Sequence, residues 1–239
     1  MANDEFYAFA DISVLVDYCR PHTESGEYSQ QVLNYINSEG GELSISKNCS
    51  DPLEKRITNR QRLFKHLMDR ASEYLKRDIS NPEQEFRNNE LSFTELKQNA
   101  PLGVRASYKD EVGKLEQLLD DVGLAEFRTQ LYDLIDECSR AFSRLDQNII
   151  HRRYSRGGKS NWMIESMLHQ HTNDDAQVDS MMDAHYWCQN MSHNTILISH
   201  HSTLYNARQK MIDADFGGSY SVELFSPKDA ILNPEKVSQ

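Results

Sequence analysis

The sequence predicts an α/β protein built on a short central parallel sheet. Two observations lead there. Short strand-like segments, the apolar run Tyr7–Ala10, the alternating Leu43–Ile45 and Tyr220–Phe225, and Thr195–Ile198, lie towards the two ends of the chain, and segments with apolar residues at helical spacing separate them. Strands separated by helices pair in parallel through right-handed crossovers. In open parallel sheets ligands sit beyond the carboxyl ends of the strands, so the residues that follow each strand are the first to examine for chemistry.

Tyr7–Ala10 reads as a buried strand that ends at Asp11, and a helix follows from Ser13 to Tyr18. The polar stretch 20–27 reads as a loop. Val32, Leu33 and Ile36 mark a helix over 28–37, which Gly40 and Gly41 stop. Leu43 and Ile45 alternate with polar residues, as in a second strand. Asp51-Pro52-Leu53-Glu54 opens a helix with proline in its first turn, and Ile57, Leu63, Leu67 and Met68 carry it to about 75. Residues 78–108 are polar, include Pro82 and Pro101, and read as a connector with one short helix. The segments 112–122 and 124–150 are strongly helical, each with one apolar stripe, and are expected to pack as a hairpin. A basic, glycine-bearing loop at 151–158 precedes helices over 161–169 and 174–188, the third strand, a helix over 202–212 and the last strand. The chain is thus expected to form one domain over 1–239, with 78–165 as a helical insertion within it.

Composition narrows the function. With 26 basic and 37 acidic residues the net charge is −11. Such a field repels polyanions on average, so a nucleic-acid substrate would need a divalent metal and a local basic patch. No stretch approaches the roughly 18 apolar residues that cross a bilayer. The first residues carry Asp4 and Glu5 rather than a basic leader, and the expectation is a cytoplasmic protein with no membrane association. Cys19, Cys49, Cys138 and Cys188 are far apart and form no CxxC pair, as expected of free, mostly buried thiols in a reducing compartment.

Several acids stand where a parallel sheet would gather them. Asp11 follows the first strand, Glu54 opens the helix after the second, and Asp175 and Asp179 share one helix face before the third. Asp183 extends that row, and His200 and His201 follow the third strand. Each has an ordinary alternative. Asp11 would serve as a helix N-cap, Glu54 and Asp174 or Asp175 as first-turn acids, and the row as a solvated face. Taken together, three or four carboxylates describe a site for Mg²⁺ or Mn²⁺, an ion that activates water against phosphodiesters.

Four segments carry a family resemblance. "FADISVLVDY" resembles the opening strand and turn of PIN domains, with Asp11 as the first acid and Ser13 as the small hydroxyl residue after it. "SISKNCSDPLEKRITNRQRLFKHL" is similar to their second strand and helix, which places the family's glutamate at Glu54. "NDDAQVDSMMDAHYWCQ" followed by "TILISHH" resembles their acidic helix and next strand, and "SVELFSPKDAIL" their closing strand. The resemblance spans about 1–75 and 170–232, and the middle of the chain does not match. It implies a PIN-like three-layer α/β/α fold and a metal-dependent ribonuclease. Asp11, Glu54, Asp175 and Asp179 would be catalytic and would hold Mg²⁺ or Mn²⁺, with Asp174 competing for the place of Asp175. One departure stands out. After the third strand the family has Ser or Thr, one residue, then Asp, whereas here Ser199-His200-His201 puts His201 at the acid's place. A neutral imidazole ligates Mn²⁺ but adds no negative charge.

The most basic stretch is "HRRYSRGGK", where Arg152, Arg153, Arg156 and Lys159 could hold RNA phosphates and Tyr154 could stack a base; the ordinary alternative is a charged loop capping a long helix. Gly158-Lys159-Ser160 lacks the first glycine of a phosphate loop, Arg153 standing in its place, and no HxxxH or HExxH spacing supports zinc. The expected function is a metal-dependent endoribonuclease acting on single-stranded or structured RNA, in a toxin–antitoxin or RNA-processing role. A homodimer and a protein partner or inhibitor are the further partners considered. The rival readings are a PIN-like RNA- or protein-binding module without catalysis, favoured by His201, and a helical interaction protein using 112–150.

Overall fold

The computed structural model describes residues 7–91, 105–159, 162–191, 195–200 and 222–232, with the backbone alone for 105–112. The chain forms two compact units, one of residues 1–54 with 140–239 and the other of residues 55–139. The division falls earlier than the expected insertion of 78–165 at both ends, because residues after 140 return to the sheet.

In the first unit, β1 (Tyr7–Ala10) leads into α1 (Ile12–Tyr18) and α2 (Glu24–Ser38), then β2 (Glu42–Ser46) and a 3₁₀ turn at Lys47–Cys49. Helix α3 (Ser50–Tyr74) begins here and continues past residue 54. After the other unit come β3 (Arg152–Tyr154), α6 (Trp162–His169), α7 (Asp175–Met191), β4 (Thr195–Ile198), β5 (Val222–Phe225) and α8 (Pro227–Leu232). The five strands form one sheet in the order β3-β2-β1-β4-β5, every pair parallel. Helices flank it, as the α/β reading expected, in keeping with a three-layer α/β/α arrangement. No helix among the described residues is long and apolar enough to cross a membrane.

Side-chain alternation along each strand sorts the layers. Tyr7 and Phe9 of β1, Leu197 of β4, and Val222 and Leu224 of β5 share a core with Val178, Met181, Met182 and Trp187 of α7 and with Ile164 and Leu168 of α6. Phe9, Tyr7 and Tyr154 meet the Trp187 ring edge-on, at centroid distances of 6.0, 6.1 and 5.1 Å. Each large side chain buried in this way contributes about 1.5–3 kcal/mol.

Helix α2 starts at Glu24, four residues before the apolar periodicity becomes visible. Its start is set by polar residues. Thr23 is the N-cap and its Oγ1 accepts a hydrogen bond from the Gly26 amide at 3.0 Å, and Glu24 and Glu27 occupy the first turn. Gly26 permits a close approach of α2 to the end of α1: a Cβ there would lie 1.8 Å from the Arg20 carbonyl oxygen.

The second unit contains the rest of α3, a short helix α4 (Pro82–Phe86), a π turn at Arg87–Leu91 and most of α5 (Arg105–Arg144). Gly123, at φ 74°, interrupts α5 between the two stripes read from the sequence. Leu115 and Leu119 from one, and Leu124, Phe127 and Leu131 from the other, share a core with Phe64, Leu67 and Phe86. Within it Glu90 is buried and paired with Arg70 at 2.6 Å.

Candidate functional site at the carboxyl end of the sheet

The strand order reverses between β1 and β4. From β1 the chain moves out to β2 and β3, then returns to place β4 on the other side of β1. Crevices at such reversals are where open parallel sheets bind ligands. Asp11 is the first residue beyond β1 and is fully buried. The ladder continues past the strand ends, for the Asp11 amide donates to the Ile198 carbonyl and the Ser199 amide to the Phe225 carbonyl, both at 2.9 Å. Asp11 and Ser199 are thereby held side by side.

Asp11 stands at the N-cap of α1, but its carboxylate makes no capping bond. Its carbonyl oxygen accepts from the Val14 and Leu15 amides instead. Its Oδ2 accepts from the hydroxyls of Ser13 at 2.7 Å and Ser199 at 2.9 Å. The ordinary N-cap reading therefore does not account for this carboxylate. Beside it, the His200 amide donates to Ser13 Oγ at 3.3 Å, and His200 Nε2 lies 3.0 Å from Ser29 Oγ and 3.3 Å from Asp17 Oδ2.

A second cluster lies where β2 and β3 end. Asp179 and Asp183 project from α7 one turn apart. Asp183 is buried; its Oδ2 accepts from Ser46 Oγ at 2.7 Å, and its Oδ1 accepts from the backbone amide of Arg156 at 3.2 Å and from the guanidinium at 3.0 Å. Asp179 meets the same guanidinium at 2.8 Å and accepts from Asn48 Nδ2 at 3.0 Å. Glu165 of α6 adds a third carboxylate at 3.2 Å from Arg156. Burial on its own would lower the Arg156 pKa, but the bonds it donates to Asp179 and Asp183 outweigh it and hold the pKa above its ordinary value.

Cys49 lies against α7. Its thiol is buried within 3.2 Å of Ser180 Oγ and 3.3 Å of the Ala176 carbonyl. Desolvation, with the charges of Asp11 and Asp179 adding to it, pushes its pKa up to about 12. Asp11 and Asp179 thus both lie within electrostatic reach of one buried sulfur. All four cysteines are buried.

Comparison with family models, with curated proteins and with solved structures finds no match to this chain.

The other residues singled out in the sequence are placed as follows. Glu54 is exposed on α3, and Asp175 is exposed in the first turn of α7. Asp174 caps α7, accepting from the Ala176 amide at 3.1 Å. His201 lies outside the described residues. Arg152 pairs with Glu42 and lies over the Trp187 ring, and Arg153 pairs with Asp146. Lys159 is exposed. Tyr154 packs inward and accepts from Asn190 Nδ2 at 2.6 Å, an arrangement unlike that of an exposed base-stacking ring.

Among the described residues no group of three or more His, Cys, Asp or Glu side chains is placed to hold a metal ion. The full set Asp11, Glu54, Asp175 and Asp179 is therefore not brought together. Asp11 and Asp179 are both hard oxygen donors, the donor type that Mg²⁺ takes. Periodicity alone had not marked out the burial of Asp183, the Arg156 bridge or the Ser46 contact. Their one sequence signal was the four-residue spacing of Asp175, Asp179 and Asp183.

Proposed function

We propose that the chain is a PIN-like, divalent-metal-dependent phosphodiesterase that acts on single-stranded RNA at the carboxyl end of its sheet. The observation that carries this reading is the buried Asp11 carboxylate, located where the strand order reverses and directed to Ser13 and Ser199 rather than to its own helix. Asp11 and Asp179 would hold Mg²⁺ or Mn²⁺, and Ser13 and Ser199 fix the Asp11 carboxylate. When bound, such an ion supplies an acidified water and offsets charge on the phosphodiester. Arg152 and Arg153 are half-exposed in surface ion pairs; such pairs are worth about 0–1 kcal/mol and are readily exchanged for RNA phosphates. Lys159 is a further exposed cation on the loop after β3.

The test joins binding to activity. Mn²⁺ should raise the melting temperature of the wild type and not of Asp11→Asn, and a single-stranded RNA should be cleaved with Mn²⁺ and not after chelation. Cleavage that persists in chelator, or a Mn²⁺ response indifferent to Asp11, would remove the metal mechanism.

A second reading has an observation in its favour. Arg156 already neutralises part of the acidic row, as expected of a PIN-like RNA-binding module that lacks catalysis. RNA retention on a filter without any cleavage, in millimolar Mn²⁺, would select it.

A further inference from the structure

We infer that Trp162 is a stacking platform for an unpaired base of single-stranded RNA, with Lys159 as the cation for a phosphate beside it. This rests on the proposed function for its substrate class and involves no metal ion.

The chain has two tryptophans, and the fold places them oppositely. Trp187 is 5% exposed and packs among Tyr7, Phe9 and Tyr154. Trp162, at the start of α6, is 73% exposed. A single exposed apolar residue means little on its own, so its surroundings decide. Met163 beside it is 43% exposed. The residues one turn on along the face of Trp162 are Glu165 and Ser166. Two exposed apolar side chains among polar ones are too narrow for the core of a protein interface. A nucleobase needs only one flat π face.

The loop after β3 is fastened to this end of α6. The Arg156 guanidinium donates to Glu165 at 3.2 Å and, through Nε, to the Lys159 carbonyl at 3.0 Å. Lys159 and the first turn of α6 are thereby held on one patch, where the ammonium of Lys159 is exposed. The same guanidinium donates to Asp183, which Ser46 at the end of β2 also bonds. The patch therefore adjoins the carboxyl end of the sheet. Arg152 lies over the Trp187 ring, on the sheet face that α6 and α7 cover, and its side chain is half-exposed. It is a second cation for the same strand of RNA.

The experiment measures binding of a short single-stranded oligouridine in chelator, by filter retention and by indole emission. Trp187 is buried, so the RNA should quench the emission of Trp162. Trp162→Ala should weaken binding roughly tenfold with the melting temperature unchanged, as at an exposed position. Trp162→Phe keeps a flat ring and should keep most of the affinity, whereas Trp162→Leu should bind as weakly as Trp162→Ala. Lys159→Gln should lower the slope of log affinity against log salt by about 0.7, the value for one phosphate contact on a single strand. If Trp162→Ala does not fold, the emission of the wild type decides. Equal affinity of wild type and Trp162→Ala, or emission unchanged while RNA is bound, overturns the role of Trp162 alone. An emission that shifts with protein concentration in the absence of RNA makes the ring a contact between copies and also overturns it. No retention of the oligouridine by the wild type at low salt removes the RNA reading itself.

Discussion

The Ser46 hydroxyl donates a 2.7 Å hydrogen bond to the buried carboxylate of Asp183, joining the end of β2 to the middle of α7 across 137 positions of sequence. The same hydroxyl accepts from the Asn48 amide at 3.2 Å and so starts the turn that leads to Cys49. Ser46→Ala leaves one Asp183 oxygen without its donor in a buried place, at a cost of about 1–3 kcal/mol. Urea unfolding should show a lower midpoint with the slope retained. A change under about 0.5 kcal/mol, within ordinary surface scatter, would show that the bond contributes nothing. Asp183→Ala should cost more than Ser46→Ala, since it strands the Ser46 hydroxyl and the Arg156 amide together, while the guanidinium keeps Asp179 and Glu165.

Gly26 sits where α2 crosses the end of α1, with the Arg20 carbonyl 1.8 Å from the place of a Cβ. That neighbour is backbone and cannot swing aside. Gly26→Ala should therefore destabilise by about 3 kcal/mol or more, although alanine is the better helix former. A melting temperature equal to that of the wild type would show that the two helices separate at little cost.

Much of the sheet unit was readable in the sequence, and the reasons are particular. Tyr7–Ala10 is an uninterrupted apolar run and Ile196–Ile198 a shorter one after Thr195, as in strands buried on both faces, and both strands appear as expected. The sequence pattern predicts a loop at Arg152–Tyr154, where the structure has a strand. It has three residues and lies at the sheet edge, where charged side chains are favoured, so no apolar pattern marks it. Pairing with β2 is what defines it, and a single sequence does not show pairing. At the site, Asp11 could be read because a residue just beyond a strand has a fixed place. For the acids on α7 the sequence offers helix phase and the family resemblance. Phase gives the face of a helix but not what lies opposite, and here Ser46 and Arg156 lie opposite Asp179 and Asp183. The basic character of the 151–159 stretch points its arginines to RNA, whereas Arg156 turns inward to Asp179 and Asp183.

His185 on α7 supplies a pH dependence. Burial holds its pKa below the ordinary 6.5. As pH falls, the unfolded chain takes up this proton before the folded one does, so the contribution is complete above pH 6.5 and is lost as pH drops through the lower folded value. His185→Gln should flatten the fall in melting temperature below pH 6.5 relative to wild type. Parallel pH curves for the two proteins would mean that His185 titrates alike in both states.

The thiols should be silent in the folded protein. Desolvation is the main cause that carries Cys49 to about 12 and Cys188 to about 11, and thiolate is the reactive form. At pH 8 an alkylating reagent should label neither residue until denaturant is added. Rapid native labelling of Cys49, located by peptide mapping, would show that the crevice beside Asp11 opens to solvent.

The sheet order also bears on how the chain is assembled. β1 lies at the centre of the sheet, and its register with β4 pairs Tyr7 with Thr195 and Ala10 with Ile198. One neighbour of this early strand is therefore made 188 residues later. Until then its open edge lacks its native cover, and closing so long a loop slows folding. During synthesis β1 is an exposed, apolar edge of the kind that pairs with other chains. Truncation before residue 195 would leave that edge permanently open, so such fragments should aggregate rather than fold.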